Sequence, residues 1–144
     1  MPVQSYANHR QYVFMYHVVL FGVLVLTLIG SGINLVQSFG DHQRLYSASL
    51  IFVLVLCLLV FFFLARIFAL KAQDRAIRAE ENLRHYVLTG KLLDSRLTVR
   101  QIIGLRFASD DEFAALAKRA VEEQLAEDDI KKAVKNWRAD TYRV

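Results

Sequence analysis

The hydrophobic and polar positions of this chain divide it into two halves of different character. Two runs without a formal charge, 13–36 and 45–65, lie in the first half, whereas charged residues dominate after residue 70. At 1.5 Å per residue, a helix over the first run is roughly 36 Å long, which exceeds a hydrocarbon core of about 30 Å. The pattern therefore predicts transmembrane helix 1 at 13–36 and a second transmembrane helix that begins near residue 47.

The two apolar runs are separated by a short polar segment, 37–46, that contains Gly40 and Asp41. A connection this short makes the two helices antiparallel neighbours. We therefore expect a transmembrane hairpin with 37–46 as its external loop.

The N-terminal segment, 1–12, is polar and aromatic. Tyrosine side chains beside Arg10 are typical of a belt at the depth of the lipid headgroups. We expect 1–12 to be a cytoplasmic interfacial segment, with a belt formed by Tyr6, Tyr12 and Tyr16.

The second helix is predicted to continue from the membrane into water. No Gly or Pro interrupts the chain between its apolar run and Gly90, which suits the left-handed residue that ends many helices. The range 47–89 is therefore read as transmembrane helix 2 continuing as a cytoplasmic helix.

A stripe of mostly small residues runs along this second helix at steps of four and three. That spacing is typical of a helix that packs closely on another helix. The stripe consists of Ala65, Ala69, Ala72, Ala76, Ala79, Leu83 and Tyr86. Two alternatives stay open: the stripe is covered within the chain, by the first span and the tail, or it packs between chains.

Small residues also occur along the first span. In lipid, small side chains let helix backbones approach each other, and polar groups add hydrogen bonds between helices. The residues expected in close packing, first of all against the second span, are Gly22, Gly30, Gly32 and Asn34. A role of Asn34 in lining a pore is the less favoured alternative.

The last part of the chain, 90–144, is predicted to form a cytoplasmic helical domain of three short helices. Thr98 with Gln101, and Ser109 with Glu112, have the spacing of capping boxes and predict two helix starts. The third helix is expected around Ile130, Ala133, Val134 and Trp137. These helices are expected to pack on another subunit or on the long helix, at Ile77, Leu83, Tyr86 and Val87.

The positions of the basic residues predict the orientation of the hairpin. Arg66, Lys71, Arg75 and Arg78 follow the second span, against Arg44 alone in the loop. The excess of basic residues on cytoplasmic flanks places both termini in the cytoplasm. The net charge of the chain is only +4, which does not favour a nucleic-acid partner.

The residues do not assemble into a recognisable catalytic or metal-binding motif. Acidic residues cluster at 110–112 and 127–129, but helix starts explain them better than Ca²⁺ or Mg²⁺. The one cysteine, Cys57, lies in an apolar run. We expect no catalytic residue, cofactor or metal, and a membrane enzyme that uses His17 or His85 is the least favoured reading.

Three sequence segments carry a resemblance to a known family. They are ALKAQDRAIRAEENLRH at 69–85, RQIIGLRFASD at 100–110, and the C-terminal 130–143. The chain resembles an uncharacterised family of small two-span bacterial membrane proteins, a domain of unknown function. The resemblance implies a multi-pass protein of the bacterial inner membrane and brings no activity or site residue.

The sequence thus predicts an all-α membrane protein: a two-helix transmembrane hairpin whose second helix extends into the cytoplasm, followed by a small bundle of three short helices. The favoured function is a non-enzymatic, membrane-anchored assembly or interaction module, as a homo-oligomer or as an accessory subunit of a larger complex. Its expected partners are the lipid bilayer and a protein. The alternative is a small oligomeric channel or transport accessory protein.

Overall fold

The structure is a computed structural model that describes residues 4–9 and 12–140. A π-helical segment leads into α1, and four further helices follow α1 among the described residues. Their bounds are Met15–Leu20 for the π-helical segment, Phe21–Gln37 for α1, His42–Thr89 for α2, Val99–Leu105 for α3, Asp110–Glu122 for α4 and Glu127–Ala133 for α5. The described residues form no strand beyond one isolated bridge, between Ala108 and Trp137, so the predicted all-α class is confirmed.

The chain divides into two units. The hairpin unit comprises 12–69 and contains α1 and the first part of α2. The helical domain comprises 70–144 together with the N-terminal residues up to 11. Of the helical domain, the structure describes 4–9 and 70–140.

Aromatic side chains form several of the contacts within the hairpin unit. The ring of Phe62 on α2 stacks on that of Tyr16 at 4.2 Å, and its ring centre lies 5.6 Å from that of Phe21. The Tyr16 hydroxyl donates a hydrogen bond to the carbonyl oxygen of Phe62. Two helices, Met15–Gln37 and His42–Thr89, are long and apolar enough to cross a membrane.

The connection between these helices is shorter than the sequence suggests. Helix α2 begins at His42 rather than at Ser47, because Asp41 acts at its start: its carboxylate accepts a hydrogen bond from the backbone N–H of Arg44 at 3.2 Å. The loop is therefore reduced from 37–46 to the four residues 38–41. Within it Gly40 has a φ of +100°, which a side chain would disfavour.

The end of α2 is as predicted. The helix stops at Thr89, and Gly90 has a φ of +73°. The N–H of Gly90 donates to the carbonyl oxygen of Tyr86 at 2.8 Å, which satisfies one of the last carbonyls of the helix.

The core of the helical domain is built from the three short helices, the segments that flank them and one residue of α2. Its largest fully buried side chains are Leu105, Phe107, Phe113 and Ile130, and Ile77 joins them from α2. Helices α3 and α5 approach closely at Gly104, where an added Cβ would lie 3.0 Å from the carbonyl oxygen of Glu127. The predicted bundle of three short helices is thus confirmed.

One of the two predicted capping boxes forms. Thr98 accepts a hydrogen bond from the backbone of Gln101, and the Gln101 side chain accepts one from the backbone of Thr98. The second helix start is confirmed, because Ser109 is the N-cap residue of α4, but its capping box does not form: the Ser109 hydroxyl has no hydrogen-bond partner among the described residues. Its intended partner, the Glu112 carboxylate, instead accepts hydrogen bonds from the backbone N–H groups of the 135–136 segment at 3.2 and 3.0 Å.

The third helix is shorter than its apolar residues suggest. It ends at Ala133, and Val134 is already extended. The chain then runs beside 107–109, where Arg138 N–H donates to the carbonyl oxygen of Phe107 at 2.8 Å. Trp137 therefore packs on Phe107 from this extended segment, at 4.8 Å between ring centres.

The described N-terminal residues, 4–9, belong to the helical domain. The side chain of Gln4 accepts a hydrogen bond from the N–H of Asp140 at 2.7 Å and donates one to its carbonyl oxygen at 3.3 Å. The His9 ring is buried between Phe107 and Trp137, at 5.7 and 5.9 Å. Of the expected belt, Tyr6 lies in this domain and Tyr16 in the hairpin unit, while Arg10 is outside the described residues.

Candidate functional site

The part of α2 that belongs to the helical domain has two sides with different surroundings. On one side Arg84 joins α2 to the rest of the domain. Its guanidinium contacts the Glu81 carboxylate at 3.0 Å, the Asp110 carboxylate at 2.6 Å and the Ala108 carbonyl oxygen at 2.7 Å. The guanidinium carbon also lies 4.3 Å from the ring centre of Phe113. One buried cation therefore links α2 to the start of α4 and to the segment before it.

Glu81 is the buried acid of this linkage. Burial raises its pKa above the usual 4.5, and the Arg84 guanidinium acts in the opposite direction. Arg138 approaches the same carboxylate at 3.8 Å. Replacing either member of such a buried pair leaves the other without its partner, which is costly.

The sequence did not single out this linkage. Helical spacing alone favours an ion pair of Glu80 with Arg84, because the two residues are four apart in the favourable order. In the structure Arg84 binds Glu81 and Asp110 instead. Asp74 and Arg78 have the same spacing, and they also form no ion pair among the described residues. Asp110 comes from a distant part of the chain, so helical spacing could not reveal it.

The other side of α2 is exposed. From Ala72, residue 81 is nine positions or about two and a half turns along the helix, so Glu81 lies on the opposite face. The stripe residues after position 70 stay on the exposed face. They are Ala72, Ala76, Ala79, Leu83 and Tyr86, all of them exposed.

The tail therefore does not cover the stripe residues from Ala72 to Tyr86. The packing that the sequence predicts between the tail and the long helix is correct at one position only. Ile77 is buried in the core of the helical domain. Leu83, Tyr86 and Val87 are 64%, 53% and 76% exposed, respectively. For Leu83 and Tyr86 the physical reason is the turn of the helix: their side chains lie about 100° and about 160° around α2 from that of Arg84, which binds the domain. The remaining stripe residues, Ala65 and Ala69, lie in the hairpin unit and are half-buried.

The basic residues expected at the membrane boundary are solvent-accessible. Lys71, Arg75 and Arg78 are exposed on α2. Arg66 is half-buried, and its guanidinium carbon lies 6.0 Å from the ring centre of Tyr16. No ion pair involves these four side chains within the part of the chain that the structure describes.

Most of the residues that the sequence predicts for close packing in the first span make few contacts within the hairpin unit. A Cβ added at Gly22 or Gly30 would meet no atom within 4 Å, and only Gly32 faces α2, at 3.6 Å from the Phe52 ring. Asn34 is exposed. The expected close packing of Gly22 and Gly30 against the second span is therefore not seen, and the buried side chains of the hairpin unit are instead those of Ser31, Ser38, Ala48, Val55 and Phe62.

A cleft in the helical domain of about 370 Å³ lies between the end of α2, the 91–97 segment and α4. Its polar side chains are largely engaged with each other: the Arg96 guanidinium binds the Asp94 carboxylate at 2.7 Å, and that bond lowers the pKa of Asp94 to about 2. His85 Nδ1 lies 2.7 Å from the Lys91 carbonyl oxygen. The described residues contain no group of three or more side chains suited to hold a metal ion.

Comparison with known proteins finds one match. Residues 1–144 match a family of unknown function, DUF6526. No curated protein and no solved structure matches the chain.

Proposed function

The chain belongs to the family of unknown function DUF6526, and we propose that it is a non-enzymatic, membrane-anchored interaction module. In this proposal the hairpin unit holds the protein in a bilayer, and the helical domain presents one face of α2 to a protein partner. The observation that carries the proposal is the exposed stripe Ala72, Ala76, Ala79, Leu83 and Tyr86, on a helix whose opposite side binds its own domain.

The anchoring role is supported by the exposure of the apolar helices. In the most apolar 18-residue window of each candidate span, only 6% and 17% of the residues are buried. The core helix of a water-soluble protein would have most of such residues buried by its own chain. Lipid is the environment in which these side chains lie without cost.

The proposed topology places both ends of the chain on the same side of the membrane. Two helices that both cross bring the chain back to its starting side, and the hydrogen bonds of Gln4 with Asp140 support this arrangement. The basic residues Arg66, Lys71, Arg75 and Arg78 favour the cytoplasm as that side. The resemblance of the sequence to small bacterial membrane proteins makes the inner membrane the proposed location.

The proposal is tested by site-specific photo-crosslinking in intact cells. A photoreactive amino acid replaces Tyr86 in the stripe, and a second variant carries it at Asp111, which is exposed on α4. We expect a protein adduct from Tyr86 and none, or much less, from Asp111. The membrane fraction is washed with alkaline carbonate, and the protein should stay in it.

Two outcomes would contradict the proposal. Release of the protein by the carbonate wash would remove the anchoring role. Equal adduct formation at the two positions, or none at either, would show that the stripe is not a preferred contact surface.

A further inference from the structure

We infer that the occupant of the exposed face of α2 is a second copy of this chain, bound in parallel and in register. This inference rests on the proposed function and names its partner. Two observations point to it: the heptad spacing of the exposed face, and the charges that border that face.

The spacing of the exposed face gives each residue a place in a heptad. Ala76 and Leu83 occupy a positions, and Ala72, Ala79 and Tyr86 occupy d positions. Residues at a and d of one helix pack between those of a parallel partner, and alanine there brings the two helices close together. The steps of four and three continue without a break from Ala72 to Tyr86.

The same register places Arg75 at a g position and Glu80 at an e position. In a parallel pair in register, a g residue faces the e residue five positions further along the other helix, and salt bridges there set the partner and the orientation. Arg75 of each copy would therefore face Glu80 of the other. The two-fold symmetry of the pair makes this contact twice.

Both side chains are available to make this contact. Arg75 and Glu80 are exposed, and neither forms an ion pair in the described part of the chain. Arg84 does not pair with Glu80, because its guanidinium binds Glu81 and Asp110. The fold thus leaves one acid and one base unpaired beside the stripe, with the spacing that a parallel copy complements.

The helical domain leaves room for this partner. On the far side of the helix from the stripe its contacts with α2 involve Ile77, Glu81 and Arg84. Beside the stripe, the Asn82 side chain accepts a hydrogen bond from the Leu93 N–H at 2.9 Å, and the a and d residues themselves stay exposed. Two copies anchored with the same topology also have parallel α2 helices by necessity. A parallel pair is therefore the arrangement that both the membrane and the charges favour.

The first test uses disulfide formation in membranes. The native Cys57 is replaced by Ser, and single cysteines are placed at Ala72, Ala76 or Ala79 on α2, with Arg78→Cys as the exposed control at a position outside the stripe. A disulfide needs Cα atoms within about 7 Å, so the same residue of two copies can be joined only where the copies face each other in register. We expect covalent dimers at all three alanine positions and not at 78.

The second test uses charge reversal. R75E and E80R each replace two attractive contacts of the dimer by repulsive ones, and we expect each to weaken self-association by roughly tenfold. The double variant R75E/E80R, or a mixture of the two single variants, restores opposite charges and should recover dimerisation. R78E, which changes the same charge away from the stripe, should leave it unchanged. Trp137 fluorescence checks that the helical domain of each variant is folded.

The outcomes separate this inference from the proposed function. Adducts at Tyr86 with a different protein, without disulfide-linked dimers, would overturn the second copy and keep the interaction module. Dimers that do not respond to charge reversal, or that form equally at 78, would overturn the parallel register. Absence of any adduct or dimer would overturn both.

Discussion

Most phenylalanine side chains of the hairpin unit are exposed, whereas those of the helical domain are buried. In the helical domain, Phe107 and Phe113 are fully buried. In the hairpin unit, Phe61 and Phe68 are 66% and 63% exposed. A fully buried side chain of this size stabilises its fold by roughly 1.5–3 kcal/mol, a gain that an exposed one does not give in water. The helical domain therefore carries its own apolar core, whereas the hairpin unit depends on its surroundings, which agrees with the proposed bilayer.

The largest expected effect tests this contrast directly. Phe113→Ala removes a fully buried ring from the core of the helical domain and should lower its free energy of unfolding by about 3–5 kcal/mol. Phe61→Ala, the matched change in the hairpin unit, should leave that free energy nearly unchanged. Trp137, the one tryptophan of the chain, packs within the domain and reports its unfolding by denaturant. A similar loss in both variants would break the comparison.

A second prediction compares the two sides of α2. Arg84→Met leaves the buried Glu81 without its closest cation and should destabilise the helical domain by about 3 kcal/mol. Arg78→Met, on an exposed position of the same helix, should cost less than about 0.5 kcal/mol. Thermal unfolding followed by Trp137 fluorescence distinguishes the two, and equal effects would argue against the linkage.

The Arg84→Met variant should also lose more stability than the wild type as the pH rises above the usual pKa of Glu81. Glu81 has a raised pKa, so its folded state holds the proton more tightly and stability falls as pH rises from 4.5 through the folded pKa. Because Arg84 lowers that pKa, its removal raises the pKa further and widens this range. The stability difference between the variant and the wild type should therefore grow as the pH rises above 4.5; a constant difference would contradict the assignment.

A third prediction compares two helix starts within the helical domain. Thr98→Ala removes a capping box and should cost about 1 kcal/mol. Ser109→Ala removes a hydroxyl that makes no cap, and should be neutral or slightly stabilising. Urea unfolding of the two variants gives the comparison, and a larger loss for Ser109→Ala would mean that the hydroxyl is engaged.

The smallest effect concerns an exposed acid. The bond to Arg96 holds the pKa of Asp94 at about 2, below the usual 3.8, so its stabilising contribution is present above that usual value and is lost as pH falls towards 2. Asp94→Asn removes this dependence. In an acid titration followed by Trp137 fluorescence, the wild type should lose slightly more stability over this range than the variant. Parallel titrations would show that the Asp94 bond contributes nothing.

The sequence predicted best what depends on local spacing. The two apolar helices, the end of α2 at Gly90 and the capping box at Thr98 all rest on residues within a few positions of each other. Thr98 and Ser109 begin similar patterns, yet only the first forms a box, because the Glu112 carboxylate is taken by the backbone of the 135–136 segment. A four-residue motif cannot predict a hydrogen-bond partner that comes from a distant part of the chain.

The candidate site shows the same division. The spacing of the alanine stripe was visible in the sequence, but the choice between a covered and an exposed stripe was not. That choice depends on which side of α2 binds the helical domain, and Arg84 decides it through Asp110 and Ala108, which lie 26 and 24 positions further along the chain. The location of 4–9 beside residue 140 likewise could not be predicted from the sequence, because the residues that make this contact are polar and belong to no periodic pattern.

The contact between Gln4 and Asp140 has a consequence for the order of events during synthesis. These residues are 136 positions apart, so the segment that contains Gln4 leaves the ribosome long before the segment that contains Asp140. Both apolar helices are made in the interval. The helical domain can therefore reach its complete fold only after the hairpin has been translated. A chain with a completely folded helical domain is thus one in which both apolar helices have already been synthesised.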